Sequence, residues 1–174
     1  MILSLSEIMN VPDKVQRELV PIEMTSFSYQ GEAYPFEKQE TVELVLTHLN
    51  NKKVQIEVAG SVKLVVPCDR CLKEVIVPIE IALSTEVDFS GSEESVLDLN
   101  EINYIDGYEL DVDKLVYEEI LLGFPMKVLC KEDCKGICKV CGADLNEGEC
   151  DCDRTELDPR MSVIRDIFNN FKEV

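Results

Sequence analysis

The chain has 174 residues and a formal charge of −18, with 35 acidic residues against 17 basic ones. That balance excludes a general phosphate-backbone binder, which needs a basic face. It suits solubility and cationic partners instead. Hydrophobic residues make up 45% and Trp is absent, so a core must come from Leu, Ile and Val.

Residues 1–20 give a short apolar start and then the polar VPDKVQREL, read as a strand and a short helical turn. The opening MILSLSEIMN has no basic region followed by an apolar run, and no stretch reaches the ~18 apolar residues of a membrane-spanning helix. A cytoplasmic setting follows, in which thiols stay reduced. Residues 20–30 have mixed β character, and 31–39 (GEAYPFEKQ) read as a loop.

Three β-prone runs follow: 40–49, 53–66 and 73–89. Val42, Leu44 and Leu46 alternate with Glu43, Val45 and Thr47, and the next two runs alternate likewise. Period-two alternation predicts strands with one buried face. Asn50-Asn51-Lys52 is a natural tight turn. Pro78 places the third strand at an edge or bulge, and Gly60 suggests a bulge in the second.

Residues 90–100 are polar and acidic. NYIDGYEL (103–110) holds an Asp-Gly turn and predicts a small hairpin. A helix is expected at about 111–122, capped by Asp111 or Asp113, with Leu115, Val116, Ile120, Leu121 and Leu122 on its apolar face. Gly123 and Pro125 end it. A second helix is expected over 158–174, with Asp158 as N-cap and Pro159 in the first turn. Its stripe of Met161, Ile164, Ile167, Phe168 and Phe171 suits packing on the sheet or the cysteine-rich module, with docking of a partner as the alternative.

Six of the eight cysteines fall in CKEDCKGICKVCGADLNEGECDC (130–152), spaced C-x3-C-x3-C-x2-C-x8-C-x-C; the other two form Cys68-x2-Cys71. Eight thiols suffice for two tetrahedral zinc sites, since zinc favours four thiolates in closed structural sites. The partition groups Cys138, Cys141, Cys150 and Cys152 into a local site, and Cys68, Cys71, Cys130 and Cys134 into a long-range one. Gly142 can take the positive φ that turns the chain out of its knuckle. Either Cys150 or Cys152 could be spare, leaving one or two zinc ions. Iron–sulfur ligation, disulfides and redox cysteines are the alternatives.

Lys127, Lys131, Lys135 and Lys139 recur every four residues along the cluster, with Arg70 and Lys73 near the other knuckle. By contrast, residues 93–119 hold ten carboxylates and one lysine. The basic group either offsets the negative charge of zinc tetrathiolates or forms a local RNA-contacting patch. Nothing argues for catalysis. His48, the only histidine, lies on a predicted strand and reads as a surface or strand residue. There is no phosphate-binding glycine loop and no nucleophile–base set, so the chain reads as non-enzymatic.

The fold class is therefore α+β: a mainly antiparallel sheet, with a partial barrel as one form, two helices, and a C-terminal zinc-ribbon-like module. The domains are 1–126, a β domain with its helix, and 127–174, the cysteine-rich module and terminal helix.

CDRC after a long strand, a helix ending in GFP, the cysteine cluster, and DPRMSVIRDIF together resemble the YceD family, the large ribosomal RNA subunit accumulation proteins. The specific part is 129–168. The resemblance implies a cytoplasmic bacterial protein with plastid relatives, needed for normal accumulation of large-subunit (23S) ribosomal RNA. It aligns Cys68 and Cys71 with the family's first cysteine pair. Some members lack the later C-x2-C and C-x-C pairs, which favours Cys130 and Cys134 as partners of the first. Lys139 departs from the Pro of many relatives. The expected partners are a large-subunit ribosomal protein or a precursor particle, with ribosomal RNA as a further contact and no membrane. The alternative is an adaptor that recruits or blocks an RNA-processing nuclease.

Overall fold

A computed structural model describes residues 1–49, 52–91 and 102–152. The turn residues Asn50 and Asn51, and the helix expected over 158–174, lie outside the described residues. Two compact units form, one of residues 1–68 and 73–128, the other of residues 69–72 and 129–174.

In the first unit the elements run β1 (Ile2–Ser4), α1 (Ser6–Met9), β2 (Val15–Pro21), β3 (Ser26–Tyr29), β4 (Glu32–Pro35), β5 (Thr41–Leu49), β6 (Lys53–Pro67), β7 (Glu74–Asp88), β8 (Ile105–Asp106), β9 (Glu109–Asp111) and α2 (Val112–Gly123). All pairing among the named strands is antiparallel. The main sheet has the order β2-β5-β6-β7 and is open, ending in β2 on one side and β7 on the other. A barrel would need those edges joined, and the described residues contain no such pairing.

The predicted alternation sets the faces. Val42, Leu44 and Leu46 of β5 and Val54, Ile56, Val58, Val62, Leu64 and Val66 of β6 are buried, while their odd-numbered neighbours point outward. α2 packs against the core through Val112, Leu115, Val116 and Ile120. Asp111 is the N-cap, accepting from the Lys114 N–H at 3.3 Å. Asp113 works outside the helix instead, accepting from the Glu23 N–H at 2.9 Å. Leu121 and Leu122 do not join the apolar face: they are 41% and 81% exposed. The buried stripe follows the 3.6-residue period from Val112; Leu121 falls on the far side of the helix and Leu122 at the edge of the stripe.

Several local expectations change. Residues 31–39 are not all loop, since β3 and β4 form a hairpin whose Phe27 stacks with Tyr29 and Tyr34. Gly60 makes no bulge: β6 and β7 stay in unbroken register from Lys53↔Asp88 to Pro67↔Glu74. It is a point of close approach, where an added Cβ would lie 3.0 Å from Val42 Cγ1. Pro78 does sit on an edge strand, β7. His48 is no surface residue. It is 9% exposed, its N–H bonds to the Lys14 carbonyl, and its Nδ1 lies 2.8 Å from the Val11 carbonyl. The carbonyl can only accept, so Nδ1 carries the proton.

Candidate metal centre

The turn between β6 and β7 is Cys68-Asp69-Arg70-Cys71. Its N–H and C=O groups close like a knuckle: the Cys68 N–H donates to the Lys73 carbonyl at 2.8 Å. Leu72 takes φ 62° so that the chain can leave the turn. The ribbon repeats this arrangement. The Cys138 N–H donates to the Ala143 carbonyl at 2.8 Å, and Gly142 takes φ 75°. Sequence makes the second turn easy, because Gly carries no Cβ penalty there; Leu72 adopts the same backbone against that penalty.

Around these two turns the thiols gather in two quartets. Cys68, Cys71, Cys130 and Cys134 form one, and Cys138, Cys141, Cys150 and Cys152 the other; within each, the sulfurs lie within 4.8 Å of one another. These are the same sets that the spacing groups. Cys71 Sγ and Cys130 Sγ are 3.5 Å apart. Sulfurs bound to zinc at ~2.3 Å in a tetrahedron lie about 3.8 Å apart, so both quartets fit a thiolate-bound metal. Among the described residues, no carboxylate or imidazole belongs to either group.

The ribbon is organised to hold its ligands. Gly136, at φ 80°, presses on Arg70: an added Cβ would lie 2.9 Å from the Arg70 carbonyl oxygen. The next residue, Ile137, donates its N–H to that same oxygen at 3.1 Å, and Arg70 Nη1 donates to the Cys134 carbonyl at 2.6 Å. Asn146 is a positioning residue that the spacing does not reveal. Its Oδ1 accepts from the Lys135 N–H at 2.9 Å, while its Nδ2 donates to Cys134 Sγ at 3.4 Å. The only signal in sequence is an Asn within the loop GADLNEGE (142–149), which reads equally well as an ordinary turn residue.

These contacts shape the thiols. Burial opposes ionisation of Cys134, but hydrogen bonds from Asn146 and from the Gly136 backbone outweigh it and lower the thiol below its usual range. Hydrogen bonds from the backbone of Cys141 and Val140 bring Cys138 down to about 6. Cys152 goes the other way, pushed up to about 12 by its hydrogen bond with Cys141 and by burial. Four crowded thiols cannot all ionise alone; a bound cation resolves that repulsion.

The six basic residues divide. Lys73 and Lys127 belong to the first unit; Arg70, Lys131, Lys135 and Lys139 belong to the second. All six are exposed. Arg70 already spends one nitrogen on the Cys134 carbonyl, and Lys131 Nζ lies 4.0 Å from Asp133.

The profile of the large ribosomal RNA subunit accumulation protein YceD matches residues 55–168, which include all eight cysteines. The chain belongs to the YceD family. It is 27% identical to the uncharacterized protein YlbN of Bacillus subtilis (strain 168), over 79% of this chain and 91% of that one. It is 40% identical to the chloroplastic large ribosomal RNA subunit accumulation protein YCED homolog 1 of Arabidopsis thaliana, over 29% of this chain and 16% of the plant protein. That match therefore covers only a small part of the plant protein's length. No solved structure matches the chain significantly. No helix among the described residues of this YceD protein is long and apolar enough to cross a membrane.

Proposed function

We propose that this YceD protein is a non-enzymatic, cytoplasmic ribosome-biogenesis factor. It supports accumulation of the large-subunit ribosomal RNA by binding a basic ribosomal protein or a precursor particle. The observation that carries the reading is the family match across both cysteine quartets. The charge of −18 supports a cationic protein as the first contact, since steering favours opposite charge. Arg70, Lys73, Lys127, Lys131, Lys135 and Lys139 are the residues offered to RNA at close range.

Zinc is the metal we assign to the quartets, one ion each, because closed four-thiolate sites are its preferred structural setting. When bound it would supply cross-linking of the chain. Four protein ligands per ion leave no coordination position for a reactive water, which supports the non-enzymatic reading.

The test is capture of purified large-subunit proteins and precursor particles by zinc-loaded full chain at physiological salt, together with large-subunit RNA levels in depleted cells. Ribosomal proteins captured and RNA reduced is the expected outcome. Capture of RNA-processing enzymes in their place would favour an adaptor of a nuclease. Binding to neither, with RNA unchanged, sinks both.

A further inference from the structure

The outer face of the main sheet carries a feature that the metal sites do not explain. On this face Leu19, Glu43, Ala59 and Ala82 lie in one cross-strand row, and Arg17, Val45, Glu57 and Ser84 in the next. Ala59 and Ala82 are direct partners, so the floor drops where two methyl groups stand in place of longer side chains. The result is a half-open trough of about 380 Å³, whose lining includes Glu43, Val45, Glu57, Ala59, Ala82 and Ser84. Ala59, Ala82, Ser84 and Glu57 are exposed. Glu43 is shared with Arg17 at 3.4 Å, in a pair open to solvent. Glu57 has no ion pair among the described residues.

The geometry points to this trough as the docking site for an extended segment of a protein partner that carries lysine or arginine at alternate positions. Glu43 and Glu57 are diagonal neighbours on adjacent strands, which places them about 7–8 Å apart. In an extended peptide, alternate side chains on one face repeat every ~6.8 Å. Two successive cations of such a segment therefore match the two carboxylates. The intervening side chains point away from the sheet, so the segment's backbone settles over the low floor at Ala59 and Ala82. An anionic partner would meet repulsion. The inference deepens the reading of a basic ribosomal protein as partner and rests on it for the partner's identity.

The test uses zinc-loaded full chain and two labelled ten-residue peptides of equal charge, one alternating lysine and valine, the other with the lysines in a block. Anisotropy at about 0.15 M salt, where exposed charges beyond ~8 Å are screened, reads the affinity. The alternating peptide binds about fivefold tighter or better than the blocked one. Glu43→Lys with Glu57→Lys abolishes that preference, as does Ala82→Tyr, which fills the floor without changing charge. Glu7→Lys with Glu109→Lys, an equal charge change elsewhere on the unit, leaves it within about twofold. Far-UV circular dichroism confirms that each variant is folded.

Equal binding of both peptides, equal loss in the Glu7/Glu109 control, or an unaffected Ala82→Tyr overturns the trough. So does a dimer in sedimentation that Ala82→Tyr abolishes, since the face would then join two copies. A chain that captures large-subunit proteins yet shows no peptide preference overturns the trough and leaves the partner reading standing. Peptide preference without capture of any large-subunit protein upholds the trough and sinks the partner reading.

Discussion

The quartet of Cys68, Cys71, Cys130 and Cys134 buries three of its four thiols; the quartet of Cys138, Cys141, Cys150 and Cys152 buries one. The first joins segments far apart in the chain, with Cys71 and Cys130 59 positions apart. The second closes only the short loop from Cys141 to Cys150. Loop-closure entropy grows by about 0.6 kcal/mol per doubling, so cross-linking the longer loop removes about 1.5 kcal/mol more freedom from the unfolded chain. Identical donor sets thus do different jobs: one holds distant segments, the other shapes a local, more accessible turn.

The sharpest way to break this contrast is Cys68→Ser against Cys141→Ser. Each should release one of two zinc equivalents, read by elemental analysis. Cys68→Ser should lower the unfolding free energy by about 3 kcal/mol or more in denaturant titration. Cys141→Ser should change unfolding of the sheet by about 1 kcal/mol or less. Loss of both metals from either variant would mean that the quartets are one coupled site.

Next comes Gly136→Ala. It introduces a Cβ at positive φ against the Arg70 carbonyl, and should cost about 2–3 kcal/mol and loosen the first quartet before the second. Chelator-driven metal release with a chromogenic reporter would show two phases, with the faster one belonging to the first site. A single unchanged phase would refute the packing argument.

Asn146→Ala should weaken metal binding by about tenfold or more, as loss of a partner that orients a ligand does. Competition with a calibrated chelator measures it. The first quartet should feel the loss, because Asn146 donates to Cys134.

The smallest effects compare the two knuckles directly. Gly142→Leu should cost about 1–2 kcal/mol, and Leu72→Gly should gain up to about 1 kcal/mol, strain relief exceeding the added freedom of the unfolded chain. Thermal unfolding reads both. Equal and negligible shifts would show that the two turns do not share a backbone requirement.

What was legible in the sequence follows from how local its causes are. The faces of β5, β6 and β7 were readable because alternation is a property of neighbours, and so was a helix cap at Asp111 or Asp113, of which the fold uses Asp111. β2 was harder, because Gln16 and Glu18 occupy the face that Val20 shares with the core, so the strand has little apolar alternation to show. Gly60 was misread because the residue crowding it, Val42, is 18 positions away. The thiol groups were readable from spacing, which the C-x2-C knuckle fixes. Asn146 and the Arg70–Cys134 bond were not, since both depend on segments brought together only by folding. Leu72 carried no signal at all: a bulky residue in a left-handed turn contradicts local preference, and the turn around it is closed by the backbone bond from Cys68 to Lys73.

The unbroken pairing of β6 with β7 has a consequence for the order of events during synthesis. Cys68 and Cys71 leave the ribosome with their hairpin, and Cys130 follows 59 residues after Cys71. At about 5–20 residues per second, that interval is roughly 3–12 s, long beside the microseconds in which a hairpin closes. The hairpin therefore carries half of the first cysteine quartet for seconds before the remaining thiols are made. Its tip must keep its shape by backbone bonds alone and stay reduced while it waits.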